Sequence, residues 1–579
     1  MRKMPLIAAG LLLCIVLLCL SPQFYVLSLH GKLLDWLRYG IAPALLVLLL
    51  LLSLSKTPAR SLWLCLPFAL LAPQELFYLT NYGKATDAHA MAIIAETDLA
   101  EATGYLSGLG WLIIAAVLLI LLLFALTTAV LKSLQWQWPR YARPTVWLLT
   151  VLAAGWVWQE ERQYAVAYPP DSKQDAVQQA LSRKPLPESH NLFYRSYPLN
   201  LLLAYNEYRL QQATLAEVAR QSRDFSFGAS QPLVLGQRQI YVLVIGETLR
   251  PDRLQLNGYS RPTTPQLAAM DGVVSFTDMV SPWAWTRMAV PVLISRKSAQ
   301  SQAYFFHEKS LVSAFKEAGF RTYWLSTQSP LGVHDSSVAL HASEADVVQY
   351  LNPVGYKKAG YYDAVLRDAV AKIVANNEQK QLIVLHTLGS HFSYADRYPA
   401  EFDWFKPSGR GRIVSMHDRA QRDLLNNAYD NSVRYTDYWL SGVLQLLQQQ
   451  AAISSLLLVS DHGENLFDGY CDKSGHGHNT EYDYRVAALW WGSREFRQQY
   501  PQQAAQMLAN RQRPFTSSQV FHTMLTLADI HYPAQQRELS LSAPWQPTPR
   551  LLANGIDFDK APRIGQCREL QQELSRPVK

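Results

Sequence analysis

Long apolar stretches crowd into the first 160 residues of this 579-residue chain and are absent from the rest. Five stand out, at 5–20, 39–54, 61–79, 109–131 and 145–158. A helix needs about 20 apolar residues to cross the hydrocarbon, somewhat fewer with aromatic or Ser/Thr flanks. The sequence therefore predicts a five-helix transmembrane domain over 1–160. The first stretch follows Arg2 and Lys3 as a signal peptide would, but no small-residue cleavage site ends it, so it is expected to stay as a helix. Basic residues set the orientation. Arg2 and Lys3, then Lys56 and Arg60, then Lys132, Arg140 and Arg143 lie on one side, while the 81–108 loop holds Asp87, Glu96, Asp98 and Glu101 against Lys84. Lys32 and Arg38 run against this pattern. The positive-inside rule then leaves everything after 160 outside the cytoplasm, in the periplasm of a Gram-negative cell, with the chain in the inner membrane.

The formal charge of +7 suits a membrane-facing protein. No dense Lys/Arg cluster or recognised motif points to nucleic acid. Cys14, Cys19 and Cys65 fall in apolar stretches, where a thiol behaves as a small hydrophobe. Only Cys471 and Cys567 remain, enough for one bridge but not for a disulfide framework.

A bridge over 161–235 is rich in Pro, Gln and charge and predicts short amphipathic helices at the membrane surface. From 236 to 579 the pattern changes. Short apolar runs at 240–245, 322–326, 382–385, 454–460 and 487–491 alternate with helical patterns at 310–318, 361–375, 424–449 and 517–528. That order predicts an α/β domain with a mainly parallel sheet. Sites in such sheets form beyond the carboxyl ends of strands.

Chemistry-bearing residues follow those ends. The first run leads into Gly246-Glu247-Thr248, the third into His386-Thr387-Leu388-Gly389-Ser390-His391, and the fourth into Asp461-His462-Gly463-Glu464, with Gly475-His476-Gly477-His478 soon after. Carboxylates and imidazoles gathered at one sheet edge form a metal site by type and placement, and Glu247, Asp461 and His462 suit zinc. A hydroxyl beside a metal becomes a nucleophile. Thr286, Thr248 and Thr387 all qualify on chemistry alone. Thr286 lies where Pro282-Trp283-Ala284-Trp285 turns into a short helix, whose N–H groups would receive a phosphate.

Val244-Ile245-Gly246-Glu247-Thr248 with Asn257-Gly258-Tyr259, Leu385-His386-Thr387-Leu388-Gly389-Ser390-His391, Asn427-Ala428-Tyr429-Asp430-Asn431-Ser432, Ser460-Asp461-His462-Gly463-Glu464 and Gly475-His476-Gly477 occur in this order. Together they resemble the phosphoethanolamine transferases, over nearly the whole chain. The resemblance implies five membrane helices followed by a periplasmic domain of the sulfatase/alkaline-phosphatase type. It implies one zinc, with a second possible, on Glu247, Asp461, His462 and Thr286. Thr286 would be the nucleophile, because the family's threonine stands five residues before a proline, here Pro291. His391 and His476 would hold a second metal or the phosphate, and His386 and His391 would move protons. Thr97, Glu101 and Ser329 would contact the substrate. The donor would be phosphatidylethanolamine and the acceptor an envelope glycolipid or glycan. A phosphoglycerol transferase of the same superfamily is the alternative. Lipid A-modifying members carry several disulfides; here the stretch near Thr286 is Trp-rich and cysteine-free, which places the chain with a disulfide-poor branch and leaves the acceptor open.

Overall fold

The computed structural model describes residues 4–30, 33–97, 99–106, 108–167, 196–232, 236–301, 306, 308–328, 337–352 and 362–571. The chain divides into two units. One comprises 1–95, 109–214 and 573–579, the other 96–108 and 215–572.

In the first unit, four helical spans among the described residues are long and apolar enough to cross a membrane: Leu6–Ser28, Leu33–Ser53, Pro58–Tyr82 and Gly110–Ser133. The fifth apolar stretch forms helix Ala142–Ala167, which is not among the four. Apolar side chains pack between the spans, Ala8, Ile15, Leu48, Ala69 and Phe124 among them, while Leu6, Leu13, Leu118 and Leu119 face outward. That inside-out pattern suits a lipid surround. Buried Glu75 accepts from the Thr86 N–H at 3.1 Å and the Asn200 amide at 2.9 Å. Of the 161–235 bridge, 168–195 lies outside the described residues, and Leu199–Arg223 is one helix rather than several short ones.

The second unit is built on an eight-stranded sheet. Its strands are β1 (Arg238–Gly246), β2 (Val273–Val280), β3 (Arg321–Ser326), β4 (Val347–Tyr350), β5 (Lys380–His386), β6 (Ala452–Ser460), β9 (Arg485–Gly492) and β10 (Phe515–Thr516). A separate hairpin pairs β7 (Asn465–Leu466) with β8 (Ser474–Gly475). The strand order is β10-β2-β9-β6-β1-β5-β3-β4. The run β6-β1-β5-β3-β4 is parallel, and β9 alone runs against its neighbours. β1 is buried on both faces, as its Ile-Tyr-Val-Leu-Val-Ile run requires. Tyr241, Leu243 and Ile245 pack with helices α1 (Thr286–Ile294), α2 (Leu311–Glu317) and α5 (Val520–Leu527). Ile240, Val242 and Val244 pack with α3 (Ala364–Val374) and α4 (Arg422–Gln448) on the other face.

The register matters for the site. Ile245 lies beside His386 and Gly246 beside Ser460, so β1, β5 and β6 end level with one another. Each of the five apolar runs read from the sequence lies within a strand. β2, β4 and β10 escaped that reading because β2 alternates polar and apolar residues and the other two are very short. Cys471 and Cys567 form a disulfide, with Cα atoms 4.3 Å apart.

Candidate active site

Glu247 is the first residue beyond β1, and Asp461 and His462 are the first two beyond β6. The turn after Glu247 is tight: Thr248 has a φ of 53°. It is held by the Thr248 N–H donating to Asp461 Oδ1 at 3.2 Å and by the Tyr429 hydroxyl donating to the Thr248 carbonyl at 2.6 Å. Gly389 crosses the same turn. A Cβ there would sit 2.7 Å from the Glu247 carbonyl, and its φ is +52°, so only glycine fits. The neighbouring Asp363 carboxylate, fully buried, accepts from the Leu388 and Gly389 N–H groups at 3.0 and 2.8 Å and fixes that crossing.

Thr286 opens helix α1, with Trp285 extended just before it. Its Oγ1 donates toward Glu247 Oε2 at 3.2 Å and lies 3.3 Å from His462 Nε2. His462 Nε2 is also 3.5 Å from Glu247 Oε1 and 3.5 Å from Asp461 Oδ2. Thr286, Glu247, Asp461 and His462 are thus brought together, and neither Thr248 nor Thr387 has a hydroxyl contact with them. Thr248 Oγ1 is buried without a hydrogen-bond partner, and the Thr387 hydroxyl is spent on the Ile245 carbonyl.

The donor set fits a metal ion on three counts. Glu247 Oε1 and Asp461 Oδ2 are buried with no hydrogen-bond partner, an arrangement that costs free energy unless a cation faces them. His462 Nδ1 lies 2.8 Å from the Gly463 carbonyl, so Nδ1 carries the proton and Nε2 presents its lone pair to the same spot. Ligand atoms of Glu247, Asp461 and His462 lie within 4.8 Å of one another. Carboxylate oxygen and imidazole nitrogen suit zinc. Burial, then the neighbouring Asp461 carboxylate, pushes the Glu247 carboxyl well above its ordinary range, and burial pushes the His462 imidazole down.

The second histidine layer is adjacent. His462, Glu464 and His476 form a further group of ligand atoms within 4.8 Å. His476 Nδ1 is 3.2 Å from Glu464 Oε2, whose other oxygen accepts from the Tyr394 hydroxyl at 2.9 Å. The rings of His462 and His476 are 4.3 Å apart, those of His391 and His476 6.5 Å. Gly477 gives the Trp285 indole its room, since a Cβ there would lie 2.2 Å from the ring. Burial pushes His476 and His386 down to about 4 and Glu464 up to about 8. His386, the last residue of β5, is buried against Trp324, and its Nε2 has no hydrogen-bond partner.

Sequence reasoning passed over two residues. Gln328, just past β3, donates from Nε2 to Glu247 Oε2 at 3.1 Å and to the Thr387 carbonyl at 2.8 Å. The strand-end rule that found the others would have found it. Glu464 stood in the quoted Asp461-His462-Gly463-Glu464 motif without a role. Ser329 lies outside the described residues. Thr97 is described, half-buried, just before helix Leu99–Tyr105; the Glu101 side chain, within that helix, is outside the described residues. The helix belongs to the second unit, where Tyr105 stacks edge-on against Phe392 and His417.

The sulfatase family model matches residues 239–530, just over half of the chain, and the chain belongs to that family. Within it, the resemblance carried by the sequence motifs stands. The chain is 24% identical over 503 residues to phosphoethanolamine transferase EptC of Escherichia coli O18:K1:H7 (strain RS218 / NMEC), covering 84% of each chain. It shares the fold of the integral membrane protein lipooligosaccharide phosphoethanolamine transferase A (EptA) from Neisseria meningitidis, with a TM-score of 0.64 and 19% identity over 92% of this chain and 98% of that one. The C-terminal periplasmic domain of EcEptC from Escherichia coli, solved in complex with Zn, matches with a TM-score of 0.53 and 24% identity over 58% of this chain and 98% of that chain.

Proposed function

We propose that the chain transfers phosphoethanolamine from phosphatidylethanolamine to an envelope glycolipid or glycan, at the periplasmic side of the inner membrane, with Thr286 as nucleophile. The observation that carries this reading is the Thr286 hydroxyl, within hydrogen-bond reach of both Glu247 and His462 beside two unpaired carboxylate oxygens. Glu247, Asp461, His462 and Thr286 would hold zinc, which supplies positive charge that acidifies the hydroxyl and offsets phosphoryl charge.

The rest is done by the chain. Glu247 Oε2 faces the hydroxyl proton and orients the Oγ1 lone pair outward. Oγ1 attacks phosphorus, the bond to the glycerol oxygen breaks, and diacylglycerol leaves with a proton. The first N–H groups of α1 face the phosphoryl oxygens. His391 and His476 bind phosphate or a second metal. Burial keeps both neutral, able to take a proton from the acceptor hydroxyl or phosphate as it attacks the phosphothreonine; the P–Oγ1 bond then breaks and Thr286 leaves with a proton, its hydroxyl restored. His386 is the third candidate for proton transfer. Thr97, Glu101 and Ser329 are the candidates for the donor head group, with Glu101 suited by its charge to the ammonium.

Intact-mass analysis of the full-length protein with phosphatidylethanolamine vesicles tests the reading. The wild type should gain one phosphoethanolamine group and Thr286→Ala none. A glycerophosphate-sized gain with phosphatidylglycerol instead would move the donor to another lipid, and no adduct with either in zinc-loaded protein would sink the transferase reading.

A further inference from the structure

The C-terminal segment 564–571 crosses the hairpin that carries His476. Three backbone bonds join the two: the Cys471 N–H to the Gly565 carbonyl at 2.6 Å, the Arg568 N–H to the His478 carbonyl at 2.8 Å, and the Leu570 N–H to the Asn479 carbonyl at 2.9 Å. The Glu569 carboxylate gathers the segment's own Ile564, Gly565 and Gln566 N–H groups and takes the Glu481 N–H at 3.2 Å from the other side. The two backbones pass so closely that a Cβ on Gly469 would lie 2.7 Å from the Gly565 Cα. The Cys471–Cys567 disulfide fastens the crossing, 96 residues apart in sequence.

The rest of the hairpin is anchored mainly through its first arm, where Leu466 and Phe467 are buried, the Asn426 amide donates to the Leu466 carbonyl at 3.1 Å and Arg250 pairs with Asp468, and through the Ser474 hydroxyl, which donates to the Met416 carbonyl. β7 and β8 pair over two residues each, and the turn between them contains left-handed Phe467 and Asp472. His476 follows β8 immediately. Its neighbours are held from the far side by the Gly477 N–H donating to Asp483 Oδ1 at 3.0 Å.

We infer that segment 564–571 is a strap, locked by the disulfide, that positions His476 beside His462, whose Nε2 meets Thr286; the link to turnover rests on the function proposed above. Cys471 and Cys567 are positioning residues and touch no substrate. A dithiol that reduces the bond delivers two electrons and two protons, leaving two thiols and a crossing held by its hydrogen bonds without the covalent link.

The test uses the full-length protein as wild type, dithiol-reduced wild type and the Cys471→Ser/Cys567→Ser double variant, each also with His476→Ala. Opening the bond should raise amide exchange over 467–481 by ~10-fold or more and leave the β1, β5 and β6 amides unchanged. kcat should fall ~10-fold at unchanged KM for the donor lipid, whereas in the His476→Ala background the same step should cost less than ~2-fold, the non-additivity of residues acting through one another. Unchanged exchange, unchanged kcat, or equal losses in both backgrounds would overturn the strap. If a double variant does not fold, the reduced wild type gives the same comparison. A wild type that transfers nothing removes the functional reading, and the exchange contrast then decides the strap alone.

Discussion

Glu247 and Arg250 stand three residues apart in one turn, both almost fully buried, and the fold treats them in opposite ways. Arg250 is completely paired. It donates to Asp252, Asp468 and the Glu464 carbonyl and stacks over Tyr482. Around it Asp430 accepts from the Tyr259 hydroxyl and Arg261, both at 2.8 Å, and faces Arg253 at 3.5 Å. Asn431 receives the Trp404 and Phe405 N–H groups. Glu247, with Asp461, keeps an oxygen with no donor at all. Buried polar groups are normally satisfied, so a cluster that is not satisfied marks a place where a ligand is expected. The contrast sorts the sequence motifs. Asn257-Gly258-Tyr259 and the stretch from Asn427 to Ser432 belong to the paired layer and brace the turn; Glu247, Thr286, Asp461 and His462 belong to the open one.

The contrast is most sharply tested at Asp461 and Asp430. Asp461→Asn should lower turnover by about 10²–10³-fold, the scale of losing one preorganised electrostatic group. Its thermal midpoint in chelator should hold or rise, because one of two facing buried carboxylates is gone. Asp430→Ala should do the reverse: about 3 kcal/mol of stability lost, as when one partner is cut from a buried ion pair, with a much smaller change in kcat once folded. Denaturant titration and steady-state rates on the same preparations decide it. If Asp461→Asn destabilises as much as Asp430→Ala, the two layers are not different in kind.

Gln328 lies between the layers, paired yet touching the open carboxylate. Gln328→Ala should weaken zinc binding by about 10–100-fold, the usual effect of losing a residue that orients a ligand. Competition with a chromophoric chelator measures this directly. Wild-type affinity in the variant would make the 3.1 Å contact incidental.

How much of this was legible follows from the same physics. β1, β5 and β6 are mostly apolar and buried on both faces, and the polar residues that end them fall at one sheet edge, so the gathering of Glu247, Asp461 and His462 there could be read in advance. Thr286 could not be chosen on chemistry, since Thr248 and Thr387 were equal in kind. What separates them is where the chain turns: Thr387 Oγ1 bonds the Ile245 carbonyl, and the α1 start brings the Thr286 hydroxyl to the His462 ring. The Cys471–Cys567 pairing was equally out of reach, because a Cα separation of 4.3 Å between residues 96 apart is set by how the C-terminal segment crosses the hairpin.

Lys297 breaks the simple form of the rule, being unsatisfied yet outside the cluster. Its side chain is buried, its Nζ has no hydrogen-bond partner, and its nearest aromatic companion is the Trp283 ring, 5.9 Å away. Burial pushes the amine from 10.5 down to about 7. Between pH 7 and 10.5 the unfolded chain therefore holds a proton the folded chain has shed, and stability rises with pH across that window. Lys297→Met removes the buried amine and keeps the volume, so it should stabilise by about 2 kcal/mol near pH 7, within the range seen when buried charges give way to apolar residues. The gain should shrink as pH approaches 10 and leave kcat unchanged. Thermal midpoints at the two pH values and one rate measurement suffice. A stabilised, fully active variant would mean that unpaired polar atoms point to function only where several converge, as at Glu247 and Asp461. A loss of kcat would instead extend the site from Thr286 to the far end of α1.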